Sequence, residues 1–244
     1  ITNTNDSPTI NVNTGTNVLE GGSKTITAAM LNSLDNDDID SGLTYTASNL
    51  ANGYIQVSGS TQNTFTQADI NAGNVSFIHD GSENNGSFDV ELADSGADGA
   101  TTDTATFTLT RTPVNDSPVV SVNTGTSVIE GSTITVTSAM LAATDIDDSD
   151  PTLVYTLTSQ FNGNFVMVSA PAIPIVSFTQ DDLNNNRVMF KHDGNELDGS
   201  VEFSVADDGA DGASPATGTF TITKIPVNDA PTIAQNTGTS VNQN

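Results

Sequence analysis

The segment Asn13-Thr-Gly-Thr-Asn-Val-Leu-Glu-Gly21 returns as Asn123-Thr-Gly-Thr-Ser-Val-Ile-Glu-Gly131 and begins a third time at Asn236-Thr-Gly-Thr-Ser-Val241. The copies start 110 and then 113 positions apart. Self-similarity at a nearly fixed period is the signature of a tandem architecture. The chain therefore holds two complete repeats and the beginning of a third.

Other motifs recur at the same spacing. Phe77-Ile-His-Asp-Gly-Ser-Glu83 matches Phe190-Lys-His-Asp-Gly-Asn-Glu196, and Ala93-Asp-Ser-Gly-Ala-Asp-Gly99 matches Ala206-Asp-Asp-Gly-Ala-Asp-Gly212. An Asn-Asp-Ser/Ala-Pro motif begins at Asn5, Asn115 and Asn228 and marks the junctions. We predict a leading linker at 1–8, repeat 1 at 9–114, a linker at 115–118, repeat 2 at 119–227, and a linker with the stub of a third repeat at 228–244.

Apolar and polar residues alternate along short segments that Gly, Asn or Asp clusters separate, which predicts strands with one buried face. In repeat 1 these segments are 9–13, 24–28, 43–49, 54–58, 75–79, 88–93 and 104–111. About seven short strands in ~110 residues predict an immunoglobulin-like β-sandwich. Thr66-Gln-Ala-Asp69 and Thr179-Gln-Asp-Asp182 resemble N-capping sequences, so we expect one helical turn before the strand near Val75.

The charge balance excludes several classes of partner. The chain carries 30 Asp and Glu against 5 Lys and Arg, a formal charge of -25. Such a field repels phosphate backbones and anionic lipid heads, so we predict no nucleic-acid binding and no direct membrane insertion. Disorder is the competing interpretation of so polar a chain, and the alternating apolar segments argue against it.

No apolar run approaches the ~20 residues of a membrane span, no signal peptide is recognisable, and there is no cysteine to form a disulfide. The chain opens and closes on junction motifs. We therefore expect it to be a piece of a larger protein whose targeting signals lie elsewhere.

Three acidic motifs recur in both repeats: Asp35-Asn-Asp37-Asp38-Ile-Asp40 with its copy at 145–150, the His-Asp-Gly-x-Glu motif, and the Ala-Asp-x-Gly-Ala-Asp-Gly motif. Crowded carboxylates repel each other unless a cation bridges them, and oxygen clusters are the ligands that Ca2+ selects. Solvated turns rich in Asp are the alternative. An EF-hand loop fits poorly, because Ile39 stands fifth and no Gly stands sixth.

Taken in order, Glu-Gly, Asp-x-Asp, His-Asp-Gly-x-Glu, Ala-Asp-x-Gly and Val-Asn-Asp-x-Pro resemble the chondroitin sulfate proteoglycan (CSPG) type of cadherin-like repeat. Such repeats occur in large bacterial surface adhesins and in animal matrix receptors. The resemblance covers nearly the whole chain. It implies an all-β chain of tandem immunoglobulin/cadherin-like β-sandwich domains joined by short linkers, with Ca2+ bound at each junction by the bottom of one repeat, the linker and the top of the next.

The resemblance also implies ligand sets. The complete junction would take Glu20, Asp80 and Glu83 from repeat 1, Asn115 and Asp116 from the linker, and Asp145, Asp147 and Asp207 from repeat 2. The leading junction would use Asn5, Asp6, Asp35, Asp37 and Asp94, and the trailing one Glu130, Asp193, Glu196, Asn228 and Asp229. Pro113 stands where cadherins place a further Asp, so we expect fewer than three ions per junction. Gln243 replaces the glutamate in the stub.

The two histidines, His79 and His192, share a face with apolar residues of their predicted strands. A packed, hydrogen-bonded histidine is the expected role, in preference to metal ligation.

The leading hypothesis is therefore a calcium-stabilised extender of a secreted or cell-surface adhesin, monomeric and extracellular, with neighbouring repeats of the same chain as its partners and cell adhesion or biofilm attachment as its purpose. A glycan- or protein-binding module is the alternative, with Tyr45, Tyr54 and Tyr155 as the available stacking platforms. A hydrolase with paired carboxylates is disfavoured, because every acidic motif is duplicated and no nucleophile and base pair stands out.

Overall fold

The computed structural model describes residues 4–94, 96, 99–207, 209 and 212–238. The predicted stub beyond residue 238, with Gln243, lies outside the described residues, as do Asp98 and Asp211 of the glycine-rich motifs. The chain divides into two compact units, Ile1–Val114 and Asn115–Asn244.

The first unit is built almost entirely from short strands. They are β1 (Thr9–Asn13), β2 (Thr16–Leu19), β3 (Ser23–Thr25), β4 (Leu31–Leu34), β5 (Thr44–Ala51), β6 (Gly53–Val57), β7 (Ser60–Thr61), β8 (Thr64–Thr66), β9 (Val75–His79), β10 (Gly86–Ala93) and β11 (Asp103–Thr112), with the helical turn α1 (Gln67–Asn71) between β8 and β9.

These strands form a sandwich. One sheet has the order β2-β11-β10-β5-β8, the other has the order β3-β9-β6-β7, and β1 pairs with β4. Phe77 and Phe107 both stack on Phe88, with ring centroids 6.1 and 5.2 Å away, and all three are fully buried. Because β2 runs parallel to β11, the residues after β2 lie beside the last residues of the repeat.

The second unit repeats this design. Its strands are β12 (Val119–Asn123), β13 (Thr126–Ile129), β14 (Thr133–Val136), β15 (Leu141–Thr144), β16 (Val154–Phe161), β17 (Gly163–Met167), β18 (Ala170–Pro174), β19 (Ser177–Thr179), β20 (Val188–His192), β21 (Gly199–Ala206) and β22 (Ala216–Ile225), with α2 (Gln180–Asn184) before β20 and a 3-10 turn at Asp150–Thr152. The sheets have the orders β13-β22-β21-β16-β19 and β14-β20-β17-β18, and β12 pairs with β15.

Strand β18 carries two prolines, which a strand at the edge of a sheet tolerates.

The tandem β-sandwich prediction is confirmed, and the strands predicted for repeat 1 are all present within a few residues. Strands β2, β4, β7 and β8 were not predicted, because runs of two to four residues are too short to show a period. Both helices span five residues, and none in the described part of the chain has the length and apolarity to cross a membrane.

The predicted capping sequences do start helices. Thr66 is the N-cap of α1, its hydroxyl accepts from the Asp69 N–H at 3.1 Å, and the Asp69 carboxylate accepts from the Thr66 N–H at 2.9 Å. Thr179 and Asp182 form the same reciprocal box in repeat 2. The hydrogen bonds from the backbone and hydroxyl of Thr66 lower the pKa of Asp69 below its ordinary value.

A buried glutamine begins each helix and was missed at the sequence level. The Gln67 Oε1 atom accepts from the Tyr45 hydroxyl at 2.9 Å, and Gln180 accepts from the Tyr155 hydroxyl at 2.8 Å. Burial raises the pKa of Tyr45 to about 12. Neither tyrosine ring is exposed, so the expectation that Tyr45 and Tyr155 could stack on a sugar is wrong. Apolar packing plus a buried acceptor holds both rings inside the sandwich.

We predict that Asp69→Asn lowers the free energy of unfolding of repeat 1 by about 0.5–1 kcal/mol at neutral pH, since it weakens the capping box. The folded pKa of Asp69 is depressed, so this stability is present above the unfolded pKa and is lost as the pH falls through the folded value. Chemical denaturation of parent and variant between pH 7 and pH 3 should show the difference shrinking with acid. Glu91→Gln, which removes an equal charge from an exposed position on β10, is the control for the loss of one negative charge.

Candidate functional site

The first candidate group lies at the end of each repeat where β4 or β15 finishes, here called the upper end. The Asp35 Oδ1 atom accepts from the N–H groups of Asp37 at 2.7 Å and Asp38 at 2.9 Å. In repeat 2 the Asp145 Oδ1 atom accepts from Asp147 and Asp148 at 2.9 and 3.0 Å. The chain therefore folds a tight turn around one oxygen of the first aspartate.

The second oxygen of that aspartate has no such partner. The Oδ2 atoms of Asp35 and Asp145 are buried and have no hydrogen-bond partner among the described residues. A buried carboxylate oxygen without a donor costs desolvation energy, and a hard cation is the partner that satisfies it best. The same unsatisfied atom recurs at the same position in both repeats, which makes the upper end a candidate for binding a cation.

The junction residues are tied to this upper end within each unit. Asn5 donates to Asp94 at 3.0 Å, and the Asp6 N–H donates to Asp37 at 2.8 Å. The second unit repeats both bonds, with Asn115 donating to Asp207 at 3.2 Å and the Asp116 N–H donating to Asp147 at 2.7 Å. The structure thus brings together the upper parts of the predicted ligand sets. Within the described residues, no three carboxylates at this end approach one another within 4.8 Å, so the donor set is mixed.

The lower end of repeat 1, formed by the residues after β2, the loop after β9 and the end of β11, has a different character. Glu20 is 8% exposed, and its Oε2 atom accepts from the Val114 N–H at 3.1 Å and from Arg111. The other Arg111 amine lies 2.6 Å from the Glu83 carboxylate. Burial alone would raise the pKa of Glu20, but the Val114 N–H and the hydrogen-bonded side chains around it lower the pKa below its ordinary value.

The lower end of repeat 2 has a lysine in the corresponding place. Glu130 accepts from the Val227 N–H at 3.2 Å, and Lys224 pairs with Glu196 and lies 3.7 Å from Glu130. The hydrogen bond to Glu196 raises the pKa of Lys224. Glu130, Glu196 and Asp229 bring carboxylate oxygens within 4.8 Å of one another, a group that could hold an ion. Sequence reasoning anticipated these glutamates but missed the basic residues.

The remaining predicted ligands stand apart. Asp80 and Asp193 are about half exposed, and each accepts from the N–H of the residue two positions later, at 3.0 Å. Asp193 does not belong to the three-carboxylate group of repeat 2, and the Asn228 side chain donates to the backbone carbonyl of Asp229. The described geometry therefore gives these residues a local turn-forming role.

The histidines have the structural role that the sequence predicts. Nε2 of His79 lies 2.8 Å from the Asn84 carbonyl and so donates to it, while Nδ1 accepts from the Gly81 N–H at 3.2 Å. His192 makes the matching bonds to the Leu197 carbonyl at 2.9 Å and the Gly194 N–H at 3.0 Å. Both side chains are buried. Each ring thus holds the loop that carries Glu83 or Glu196.

Comparison with known proteins gives a family and a few distant likenesses. The Cadherin_3 family model, described as cadherin-like, matches residues 8–110 and 118–224. The human protein FRAS1-related extracellular matrix protein 1 is 36% identical over 83 residues, which is 34% of this chain and 4% of that protein.

Two solved structures are similar over most of the chain. Drosophila N-cadherin EC1-4 matches with a TM-score of 0.49 and 13% identity, over 92% of this chain and 50% of that chain. Domains 4–9 of the surface layer protein SbsC match with a TM-score of 0.28 and 10% identity, over 94% of this chain and 32% of that chain. With TM-scores below 0.5, neither structure supports a family assignment. That assignment rests on the family match to both repeats.

We predict that His192→Phe lowers the free energy of unfolding of repeat 2 by about 1–3 kcal/mol, because it leaves the Leu197 carbonyl and the Gly194 N–H without their partner. The loss should be the same in EDTA as in calcium, since the ring binds backbone groups. Chemical denaturation in both buffers measures it, with the exposed neighbour Lys191→Gln as control. A loss that vanishes in EDTA would instead identify the ring as a metal ligand.

Proposed function

This chain belongs to the cadherin-like family, and on that premise we propose that it serves as calcium-stabilised extender repeats, of the CSPG type, in a secreted or cell-surface adhesin. The observation that carries the proposal is the buried, unsatisfied oxygen of Asp35 and Asp145, held at the same place in both repeats. Backbone N–H groups of the turn already hold the other oxygen of each aspartate, so the carboxylates are oriented without an ion.

The donor chemistry at the upper end fits Ca2+. All candidate ligands there are oxygens from carboxylates, an asparagine and the backbone, and the two repeats supply the same residue types. Hard divalent cations take such sets, and Ca2+ tolerates irregular geometry better than Mg2+ does. In repeat 2 the residues that would hold the ion are Asn115, Asp116, Asp145, Asp147 and Asp207.

An ion at this position would stiffen the connection to the preceding repeat. Asn115 and Asp116 are linker residues, and their hydrogen bonds to Asp207 and Asp147 already attach the linker to repeat 2. Neutralising these carboxylates would remove their mutual repulsion and fix the direction in which the linker enters. A stiff linker between separate cores is what an extender requires, and an extracellular place provides the calcium.

The glycan-binding alternative has less support. With Tyr45 and Tyr155 buried, Tyr54 is the one tyrosine in the sequence whose ring is accessible, at 39% exposure. Catalysis is not proposed either, because each acidic motif occurs once per repeat, as a structural element would.

We predict that Ca2+ at about 10 mM stabilises the chain by about 1.4 to 2.7 kcal/mol per site, given a Kd of roughly 10^-4 to 10^-3 M for extracellular modules. Thermal melts in calcium, in EDTA and in equimolar Mg2+ test this. Mg2+ should stabilise much less because it gives up its water reluctantly. Coincident melts in calcium and EDTA would refute the proposal, and equal shifts by the two ions would indicate diffuse charge screening.

We predict that Asp145→Ala with Asp147→Ala makes the linker flexible in calcium while both sandwiches stay folded. The chain has no cysteine, so Ser60→Cys and Ser169→Cys, both exposed, allow one spin label in each repeat. The distance distribution between the labels should be narrow in calcium and broad in EDTA for the parent, and broad in both for the variant. Glu91→Ala with Glu202→Ala, at exposed positions on β10 and β21, is the control with the same charge change. A narrow distribution for the Asp145 and Asp147 variant would mean that ions do not stiffen the linker.

A further inference from the structure

At the lower end of each repeat the chain already contains a positive charge. We infer that Arg111 and Lys224 are tethered cations that take the place of a metal ion between the paired glutamates, so that calcium is confined to the upper ends. This inference rests on the proposed function and narrows it, because the family resemblance assigns Glu20, Glu83, Glu130 and Glu196 to the ion.

The geometry of Arg111 supports this replacement. Its two amines contact one carboxylate each, Glu20 and Glu83, so a single positive charge bridges the pair in the place where the resemblance puts an ion. The Glu20 side chain is 4% exposed and that of Arg111 is 15% exposed. A buried carboxylate needs a close positive charge, and arginine supplies one that cannot be deprotonated.

Backbone pairing and backbone hydrogen bonds fix the positions of Arg111 and Lys224. Strand β2 pairs in parallel with β11, which sets Arg111 opposite Val18 and places Glu20 beside the end of β11. The Arg111 N–H also donates to the Asn85 side chain at 2.9 Å. In repeat 2 the Lys224 N–H donates to Asp198 at 2.7 Å.

The distribution of basic residues gives independent support. The chain has five, namely Lys24, Arg111, Arg187, Lys191 and Lys224. Positions 111 and 224 are 113 apart, which is the offset that relates the later parts of the two repeats. The other three have no basic counterpart at the repeat offset. In a chain with so few positive charges, the one duplicated basic position is the one that faces the glutamate pair.

The two cations should differ in strength. Arginine contacts both carboxylates through a planar fork, whereas a lysine is a point charge, and Lys224 lies 3.7 Å from Glu130. Arg111 should therefore exclude calcium more completely than Lys224 does.

The test compares Arg111→Gln with Arg187→Gln, whose side chain is 45% exposed and pairs with the carboxylates of α2. In EDTA, Arg111→Gln should lower the melting temperature by at least about 4 °C more than Arg187→Gln does, because it leaves two carboxylates facing each other. Saturating Ca2+ should recover that difference by entering the vacated place. Arg111→Lys, which retains the charge, should recover most of it without calcium.

Isothermal titration with Ca2+ supplies the second measurement. The number of ions bound by the parent chain should fall in Asp145→Ala with Asp147→Ala and stay unchanged in Glu20→Gln, and Arg111→Gln should bind one ion more. A lower number in Glu20→Gln would overturn the inference, as would equal melting temperatures of Arg111→Gln and Arg187→Gln in EDTA. If the parent binds no calcium at all, the proposed function fails, whereas the EDTA comparison still decides whether Arg111 holds the glutamates.

Discussion

Each buried carboxylate in this chain must find a positive partner, and that requirement shapes the ends of both sandwiches. Asp35 and Asp145 meet half of it with turn N–H groups and leave one oxygen unsatisfied among the described residues. Glu20 also meets half of it, because its Oε2 atom accepts from the Val114 N–H and from Arg111 while its Oε1 atom is buried without a hydrogen-bond partner among the described residues. An unpaired charge in a low-dielectric place costs several kcal/mol, so these partners are conditions of folding as well as of function.

The carboxylates at the ends of each sandwich are separate from its apolar core. The two sheets enclose aromatic and aliphatic side chains, such as the stacked Phe77, Phe88 and Phe107, while the carboxylates lie where strands end. Hydrophobic burial therefore stabilises the fold independently of ions, and the loops at each end can change their charges without disturbing the packing. Gln67 and His79 are polar residues that do enter the core, and both make hydrogen bonds to nearby loops or strands.

The sequence predicts those features of the fold that depend on residues close together in the chain. The repeats, the alternating strands and the Thr66 capping box could be derived because each depends on neighbours a few residues away. The Arg111 pair with Glu20 could not, since it spans 91 residues and depends on the parallel pairing of β2 with β11. The burial of Tyr45 was missed for a similar reason, because its acceptor Gln67 lies 22 residues along the chain and a strand and a helix must meet first.

The contrast between the two ends suggests how charge and order are divided within a repeat. At the lower end the chain supplies its own cation, which cancels one of the two glutamate charges whether or not calcium is present. At the upper end the chain supplies only N–H donors, which orient the carboxylates but do not cancel their charge. Because the uncancelled charge grows with every repeat added, a long array without calcium would accumulate repulsion at its upper loops. Calcium would then control one defined part of each repeat and leave the rest of the sandwich unchanged.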